Sequence, residues 1–228
     1  MDLGDARREL QHFGLLRTAG DVALRALNRV AVARVLKAVC VDAPDPQYLR
    51  VDQRYRTGFL SPGELAQVAQ HPEYEMTPGF LREAIGKGDE CFGFWDGSVL
   101  ASYGWYATSP TPVDIPGLTL RFDPRFVYMY KGFTHLQYRG QRLHAIGMTR
   151  ALAAYRKRGF RGIVSYVDWN NFGSLRSCRR MGYREFGNIY VLRAFGHYLI
   201  HVDRGCRAYG FALRLPPEHG GWRASRAA

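Results

Sequence analysis

The chain has 228 residues, 46% of them hydrophobic, with 32 basic and 20 acidic side chains and a formal net charge of +12. This composition excludes wholesale disorder, and no apolar run reaches the ~20 residues of a membrane-spanning helix. The opening MDLGDARREL has no apolar core after it and is not expected to be a secretory signal, while Cys40, Cys91, Cys178 and Cys206 are too scattered for a zinc or disulfide pattern; a cytoplasmic setting is expected.

The charge is uneven. Residues 1–110 hold 12 basic and 14 acidic side chains, whereas residues 111–228 hold 20 and 6. An anionic partner is therefore expected in the C-terminal half: a phosphorylated cofactor, an acidic carrier protein, nucleic acid or an anionic membrane.

In chain order, residues 6–41 read as helical. Leu24, Leu27, Ala31, Val35 and Ala38 recur at spacings of 3 and 4, with Asp21 as N-cap, so 1–45 is expected to be an N-terminal helical extension. That helix packs on the domain or on a second copy; contact of 22–41 with a membrane surface is the alternative reading. After a Pro-rich linker, Tyr48–Phe59 reads as a strand. Ser61-Pro62-Gly63-Glu64 and Thr77-Pro78 open two helices with Ser and Thr as N-caps and Pro at the first turn. Asp96-Gly97 between aromatic runs predicts a hairpin, and residues 109–125, with four prolines, read as a long loop.

From 126 the pattern is most regular. Phe126–Thr134 reads as a strand and Gln141–Arg158 as a helix with the stripe Ala145, Met148, Leu152, Tyr155 and Gly159 behind it as C-cap. Gly162–Val167 is a short apolar strand, Phe172–Met181 a helix ended by Gly182, and Tyr183–Leu192 and His197–Val202 are strands. The expected domain is 46–213, with a flexible tail over 214–228. His197 and His201 have metal-ligand spacing only on a helix, and the alternating pattern there predicts a strand, so no metal site is expected.

The junction Thr134-His135-Leu136-Gln137-Tyr138-Arg139-Gly140-Gln141-Arg142-Leu143 joins a strand to a helix through a glycine turn. Free N–H groups of a helix N-terminus together with Arg139 and Arg142 make an anion cradle suited to phosphate or pyrophosphate. Neither a P-loop nor a G-x-G-x-x-G fingerprint is present.

Gln137-x-x-Gly140-x-Arg142 resembles the pyrophosphate loop, Q/R-x-x-G-x-G/A, of the GNAT-type N-acetyltransferases. Thirty-one residues beyond Gly140, Asn171-Phe172-Gly173-Ser174-Leu175-Arg176-Ser177-Cys178-Arg179-Arg180-Met181-Gly182-Tyr183 is similar to the second signature of that superfamily. The matched stretch covers about 126–195. The resemblance implies an α/β fold whose mixed sheet splays open between the strands at 126–134 and 162–168, with an acyl-CoA such as acetyl-CoA in the V. Its pyrophosphate would lie on Arg139, Gly140, Gln141, Arg142 and Leu143, its pantetheine arm along Phe133 and Thr134, and Asn171 and Ser174 on the other flank. Two departures stand out: Arg142 occupies a position that is usually small, and Cys178 stands where many relatives carry a tyrosine that protonates the leaving thiolate.

Acyl transfer to an amine needs a neutral amine, hence a base or a water relay. Asp168 is the only acid between Phe126 and Arg184 and lies at the C-terminal end of a strand, which makes it the candidate base or amine anchor. Cys178 is the candidate proton donor, with inert packing as the alternative reading, and His135 a candidate base or relay. The expected function is N-acyl transfer from an acyl-CoA to a primary amine of a small molecule or protein. The alternatives are a non-catalytic acyl-CoA-binding protein, or an acyltransferase fed by a long-chain acyl-CoA or an acyl carrier protein. Nucleic-acid binding is disfavoured because the arginines follow no recognised motif, and a homodimer is compatible with the superfamily.

Overall fold

The computed structural model describes residues 32–215. Eleven strands are present among them: β1 Val32–Val41, β2 Tyr55–Phe59, β3 Glu90–Asp96, β4 Val99–Ala107, β5 Thr111–Pro112, β6 Thr119–Arg121, β7 Phe126–Thr134, β8 Gly162–Asp168, β9 Arg184–Ala194, β10 His197–Val202 and β11 Ala212–Arg214. The helices are α1 Pro62–Val68, α2 Pro78–Gly86, α3 Leu143–Lys157, α4 Phe172–Arg180 and α5 Arg204–Ala208. Eight strands form one sheet in the order β10-β9-β1-β8-β7-β4-β3-β2, and β11-β6-β5 form a small second sheet.

The local signals act as expected. Ser61 accepts from the Glu64 N–H while the Glu64 carboxylate accepts from the Ser61 N–H, which is a full capping box. Thr77 caps α2 through the Phe80 N–H. Gly97 turns the β3–β4 hairpin at φ +58°, and Gly159 and Gly182 close α3 and α4 at φ +92° and +80°, values that a side chain resists.

Two expectations are corrected. The helix over 22–41 is a strand where it is described: Val32–Val41 is β1, lying inside the sheet and antiparallel to both β8 and β9. Leu36, Ala38 and Cys40 are buried on one face, Val39 and Val41 on the other. Covering both faces hides the period of two and leaves a pattern that a helical spacing also fits. The ordered domain thus includes residues placed in the extension, and membrane-surface contact does not apply to 32–41; residues 22–31 and the tail from 216 lie outside the described residues. The strand expected over Tyr48–Phe59 is likewise confined to β2, preceded by a 3₁₀ turn at Pro46–Tyr48.

Helices α3 and α4 cover one face of the sheet, with Leu143, Met148, Leu152 and Tyr155 packed on Val39, Val127 and Ile163. On the opposite face α1 and α2 lie over β3 and β4, while the small sheet and α5 lie over β1, β8 and β9. A gap separates these two groups, directly over β7 and β8.

Candidate active site

Strands β7 and β8 run parallel and pair only at Phe126–Gly162, Val127–Ile163 and Tyr128–Val164. Beyond that point β7 continues paired with β4, up to Ser102–Thr134, and β8 continues paired with β1, up to Leu36–Asp168. Their facing edges diverge. At the vertex the Ser165 hydroxyl donates to the Met129 carbonyl at 2.7 Å, so the first carbonyl past the last pair is satisfied by a side chain.

On the α3/α4 face the fork leads to the start of α3. Arg142 is the N-cap of α3 at φ +60° and makes no side-chain cap, and the first intrahelical bond there is Ile146 N–H to the Arg142 carbonyl. The amides of Leu143, His144 and Ala145 therefore lack an intrahelical acceptor. Gly140, at φ +82°, forms the turn in front of them. Gln141 is held by Arg54 and by the Tyr55 hydroxyl, which donates to its Oε1 at 2.6 Å. Arg139 and Arg142 are exposed and have no acidic partner among the described residues. A cavity of about 430 Å³ lies between α3 and α4, and Arg142, Ser177 and Arg180 line it. Gly132 on β7 admits His144: a Cβ there would lie 2.6 Å from its ring, and burial pushes the imidazole pKa down, which leaves it neutral at pH 7.

On the opposite face the fork opens into a cleft of about 560 Å³ between α2 and the 111–114 segment. At one end Asp168 accepts two hydrogen bonds from Arg34 of β1, at 2.9 and 2.6 Å. Arg34 also reaches Asp114 at 3.0 Å, and Asp114 accepts from the Tyr166 hydroxyl at 2.7 Å. Burial opposes ionisation of Asp114, but the Tyr166 hydroxyl and the Arg34 guanidinium outweigh it and hold the carboxyl below the usual range. At the other end the Asp89 side chain, 1% exposed, pairs with Lys87 at 2.7 Å and accepts from the Tyr130 hydroxyl at 2.9 Å. Tyr166, Tyr128 and Tyr130 make the floor between, with ring centroids 6.2 and 5.8 Å apart.

The residues singled out in the sequence fall into three groups. Asp168, Asn171 and Ser174 line the cleft; the Asn171 side-chain Oδ1 caps α4 by accepting from the Ser174 N–H at 3.1 Å. Phe133 and Thr134 lie on β7 past the vertex, where the Ser102 hydroxyl donates to the Phe133 carbonyl at 2.8 Å and the Phe133 ring stacks on Tyr103. Arg139, Gly140, Gln141, Arg142 and Leu143 form the helix entrance. His135 and Cys178 are elsewhere: His135 precedes a 3₁₀ turn with its Nδ1 buried and unpartnered, and Cys178 packs against the α3-side core, where burial pushes its thiol up to about 11. Sequence reading missed Arg34, Lys87, Asp89, Asp114 and Arg180. Their elements are remote in sequence, and only the Arg179-Arg180 pair carried a local signal.

Among the described residues no group of three or more His, Cys, Asp or Glu is placed to hold a metal ion, and no helix is long and apolar enough to cross a membrane.

No protein-family model and no curated protein matches the chain. Among solved structures it is similar to a GNAT-family acetyltransferase from Novosphingobium aromaticivorans, at 15% identity and a TM-score of 0.49 over 70% of this chain and 64% of that one. It is also similar to a GCN5-related N-acetyltransferase from Sphaerobacter thermophilus, at 16% identity and a TM-score of 0.49 over 79% of this chain and 56% of that one. A transcriptional regulator from Bacillus halodurans is similar too, at 14% identity and a TM-score of 0.43 over 57% of this chain and 93% of that one. The chain thus spans less than two thirds of the first two, and a shared fold does not by itself assign a shared activity.

Proposed function

We propose that the protein is an N-acyltransferase that moves an acetyl or other short acyl group from coenzyme A to a primary amine. The fork carries this reading: an uncapped, arginine-flanked helix end lies on one side of the sheet and an acid-rich cleft on the other, with two unpaired strand edges between them. A thioester entering from the α3/α4 face meets an amine entering from the α2 face.

In this reading the pyrophosphate sits on the amides that follow Gly140 and takes charge from Arg139, Arg142 and Arg180. The pantetheine arm extends β7 along the edge that β8 leaves at Phe133 and Thr134, and the Asn171 Nδ2 and the Ser174 hydroxyl meet it from α4. The departure at Arg142 is accommodated because its side chain is exposed and lines the α3–α4 groove, where the guanidinium can meet a phosphate.

The amine lone pair attacks the carbonyl carbon, the C–S bond breaks, and the sulfur leaves as a thiolate. The bound ammonium first loses one proton to water; after attack the nitrogen loses a second, one proton returns through water to the sulfur, and one is released overall. Asp168 and Asp114, both on Arg34, receive the incoming ammonium; the low Asp114 pKa suits an anchor better than a base, so the proton departs through water in the cleft. Cys178 is assigned to packing and His135 to the turn, because neither lines the cleft. The charged lining favours a short acyl group over a long apolar one.

The test is coenzyme A release from acetyl-CoA with a panel of amines, beside thermal shifts with acetyl-CoA, a long-chain acyl-CoA and ATP. Ligand at 100 times its Kd stabilises by about 2.7 kcal/mol. Stabilisation by acetyl-CoA together with amine-dependent release supports the reading. Absence of both would end it. The second reading, acyl-CoA binding without turnover, draws on the engagement of Asp168 by Arg34, and it predicts stabilisation with no release for any amine.

A further inference from the structure

A departing sulfur needs a proton, and Cys178, packed on the core with its thiol raised to about 11, is badly suited to give one. A different titratable group lies beside the open edge of β7. His144 is the second residue of α3, and its ring rests on the strand because Gly132 has no side chain. A Cβ at Gly132 would lie 2.6 Å from the His144 Cε1 and 3.1 Å from its Nδ1. On one side Gly132 pairs with Gly104 of β4. Its other edge belongs to the stretch that β8 has left, beyond the last pair at Tyr128.

A coenzyme bound in the fork would pass this ring. With its phosphates at the start of α3 and its arm along Thr134 and Phe133, the thioester falls at the next residues toward the vertex, Gly132 and Lys131. The ring is half-buried and borders the α3–α4 cavity together with Arg142, Ser177 and Arg180. Neither ring nitrogen is sealed off, and neither has a hydrogen-bond partner among the described residues. No carboxylate lines either of the cavities that the ring borders; Arg142 and Arg180 are the only charged groups there. Shielded from water, beside two guanidinium groups and at the positive end of a helix, the imidazole is held neutral. A neutral imidazole carries one N–H and one free lone pair, so it can give a proton and take another without ever bearing charge.

We propose that His144 is a catalytic relay that hands the returning proton to the sulfur of coenzyme A. As the C–S bond breaks, the N–H bond of one ring nitrogen breaks and an S–H bond forms. The other nitrogen takes a proton from water, which has received it from the amine, so the ring ends neutral as the opposite tautomer. It resets by exchange with water in the α3–α4 cavity. This inference rests on the acyltransferase reading, but contact between the ring and the sulfur is testable without turnover.

The experiment compares the unaltered full chain with His144→Phe and His144→Gln in three measurements. These are the Kd for coenzyme A by calorimetry, the thiolate fraction of bound coenzyme A by ultraviolet absorbance across pH, and the single-turnover rate of coenzyme A release from acetyl-CoA with the best amine of the panel. His144→Phe should lower the rate by about 100-fold, the scale of one proton-transfer group. It should lower the thiolate fraction by about tenfold, the scale of one hydrogen bond to a charged group, with Kd changed by less than about threefold. His144→Gln keeps a donor but cannot exchange one proton for another, so it should restore the thiolate fraction and leave the rate low. A rate or a thiolate fraction unmoved by His144→Phe, or full rate in His144→Gln, overturns the relay and leaves acyl transfer standing. A thiolate fraction that falls in His144→Phe, with no turnover of any amine by the unaltered protein, keeps the ring at the sulfur but ends both the relay and the acyltransferase reading. Failure of the unaltered protein to bind coenzyme A ends both as well. If His144→Phe does not fold, the rate of His144→Gln at unchanged Kd decides the matter.

Discussion

The two faces of the fork handle charge in opposite ways. On the α3/α4 face, Arg139, Arg142 and Arg180 stand exposed around a helix end whose first amides are unpaired. On the α2 face every cation of the cleft is bound to a carboxylate, and carboxylates are in excess. Counted along the sequence, both faces belong to one basic protein. The difference teaches that pairing, rather than net charge, decides what a surface attracts: unpaired guanidinium groups draw an anion, while paired ones become scaffolding that positions acids.

The sharpest way to break this contrast is to reverse the unpaired side. Arg142→Glu combined with Arg180→Glu should raise the Kd for acetyl-CoA by about 100-fold or more, since two charge-assisted contacts become repulsions. The melting temperature should hardly move, because neither side chain has an ion-pair partner to lose among the described residues. Calorimetry and thermal unfolding on one sample separate the two effects, and a change in Kd under threefold would place the phosphates elsewhere.

Removing a paired cation should do the reverse. Arg34 is 19% exposed and ties β1 to the ends of β8 and the 111–114 segment. Arg34→Met leaves Asp168 and Asp114 together without their counter-ion and should cost about 1–3 kcal/mol, less than a fully buried pair because Asp114 is 65% exposed. Arg34→Lys should recover only part of this, since an ammonium cannot make the bidentate contact. Denaturant unfolding reads both.

A smaller effect lies in the pH dependence. Asp114 titrates below its unfolded value of about 4. A carboxyl whose folded pKa is depressed contributes stability that is complete above the unfolded pKa and is lost as pH falls through the folded one. Stability from this group should therefore be level from pH 5 to 8 and decline below about 4. Asp114→Asn should lower the plateau and flatten that acid limb, by under about 1 kcal/mol given its exposure. An unchanged acid limb would mean that the Tyr166 and Arg34 contacts do not persist in solution.

The smallest effect is expected at Cys178. Its thiol, raised to about 11 by burial, packs on the core away from the cleft. Cys178→Ser should leave kcat within about twofold and the pH–rate profile in place; loss of one limb of that profile would return the thiol to the role of proton donor.

The run from β7 to β9 was legible because its signals are local. Gly159 and Gly182 stop helices by their own backbone, and Met148, Leu152 and Tyr155 mark a buried stripe within one element. β1 was not, since both its partners come from the far end of the chain and both its faces are covered; Arg34 and Asp168 are 134 residues apart. The small sheet was missed for a similar reason: β5 and β6 are two and three residues long in a proline-rich stretch, and β11 joins them from Ala212. The entrance to α3 was readable as one turn, Arg139 to Leu143. In the cleft Asp168, Asn171 and Ser174 were readable, whereas Arg34, Lys87, Asp89 and Asp114 converge from separate segments whose meeting no local pattern records.

The hydroxyl of Ser165 gives the fork a further property. A ladder that stopped at Tyr128 with the Met129 carbonyl bare would tend to zip one step further; with that oxygen already satisfied, the gap between the strands is a resting geometry. The protein does not have to prise its sheet apart when a ligand arrives, so the ordering cost of the opening belongs to folding and is absent from binding. Free and loaded forms should accordingly superpose at β7 and β8, with association governed by diffusion into a standing slot in place of a slow conformational step.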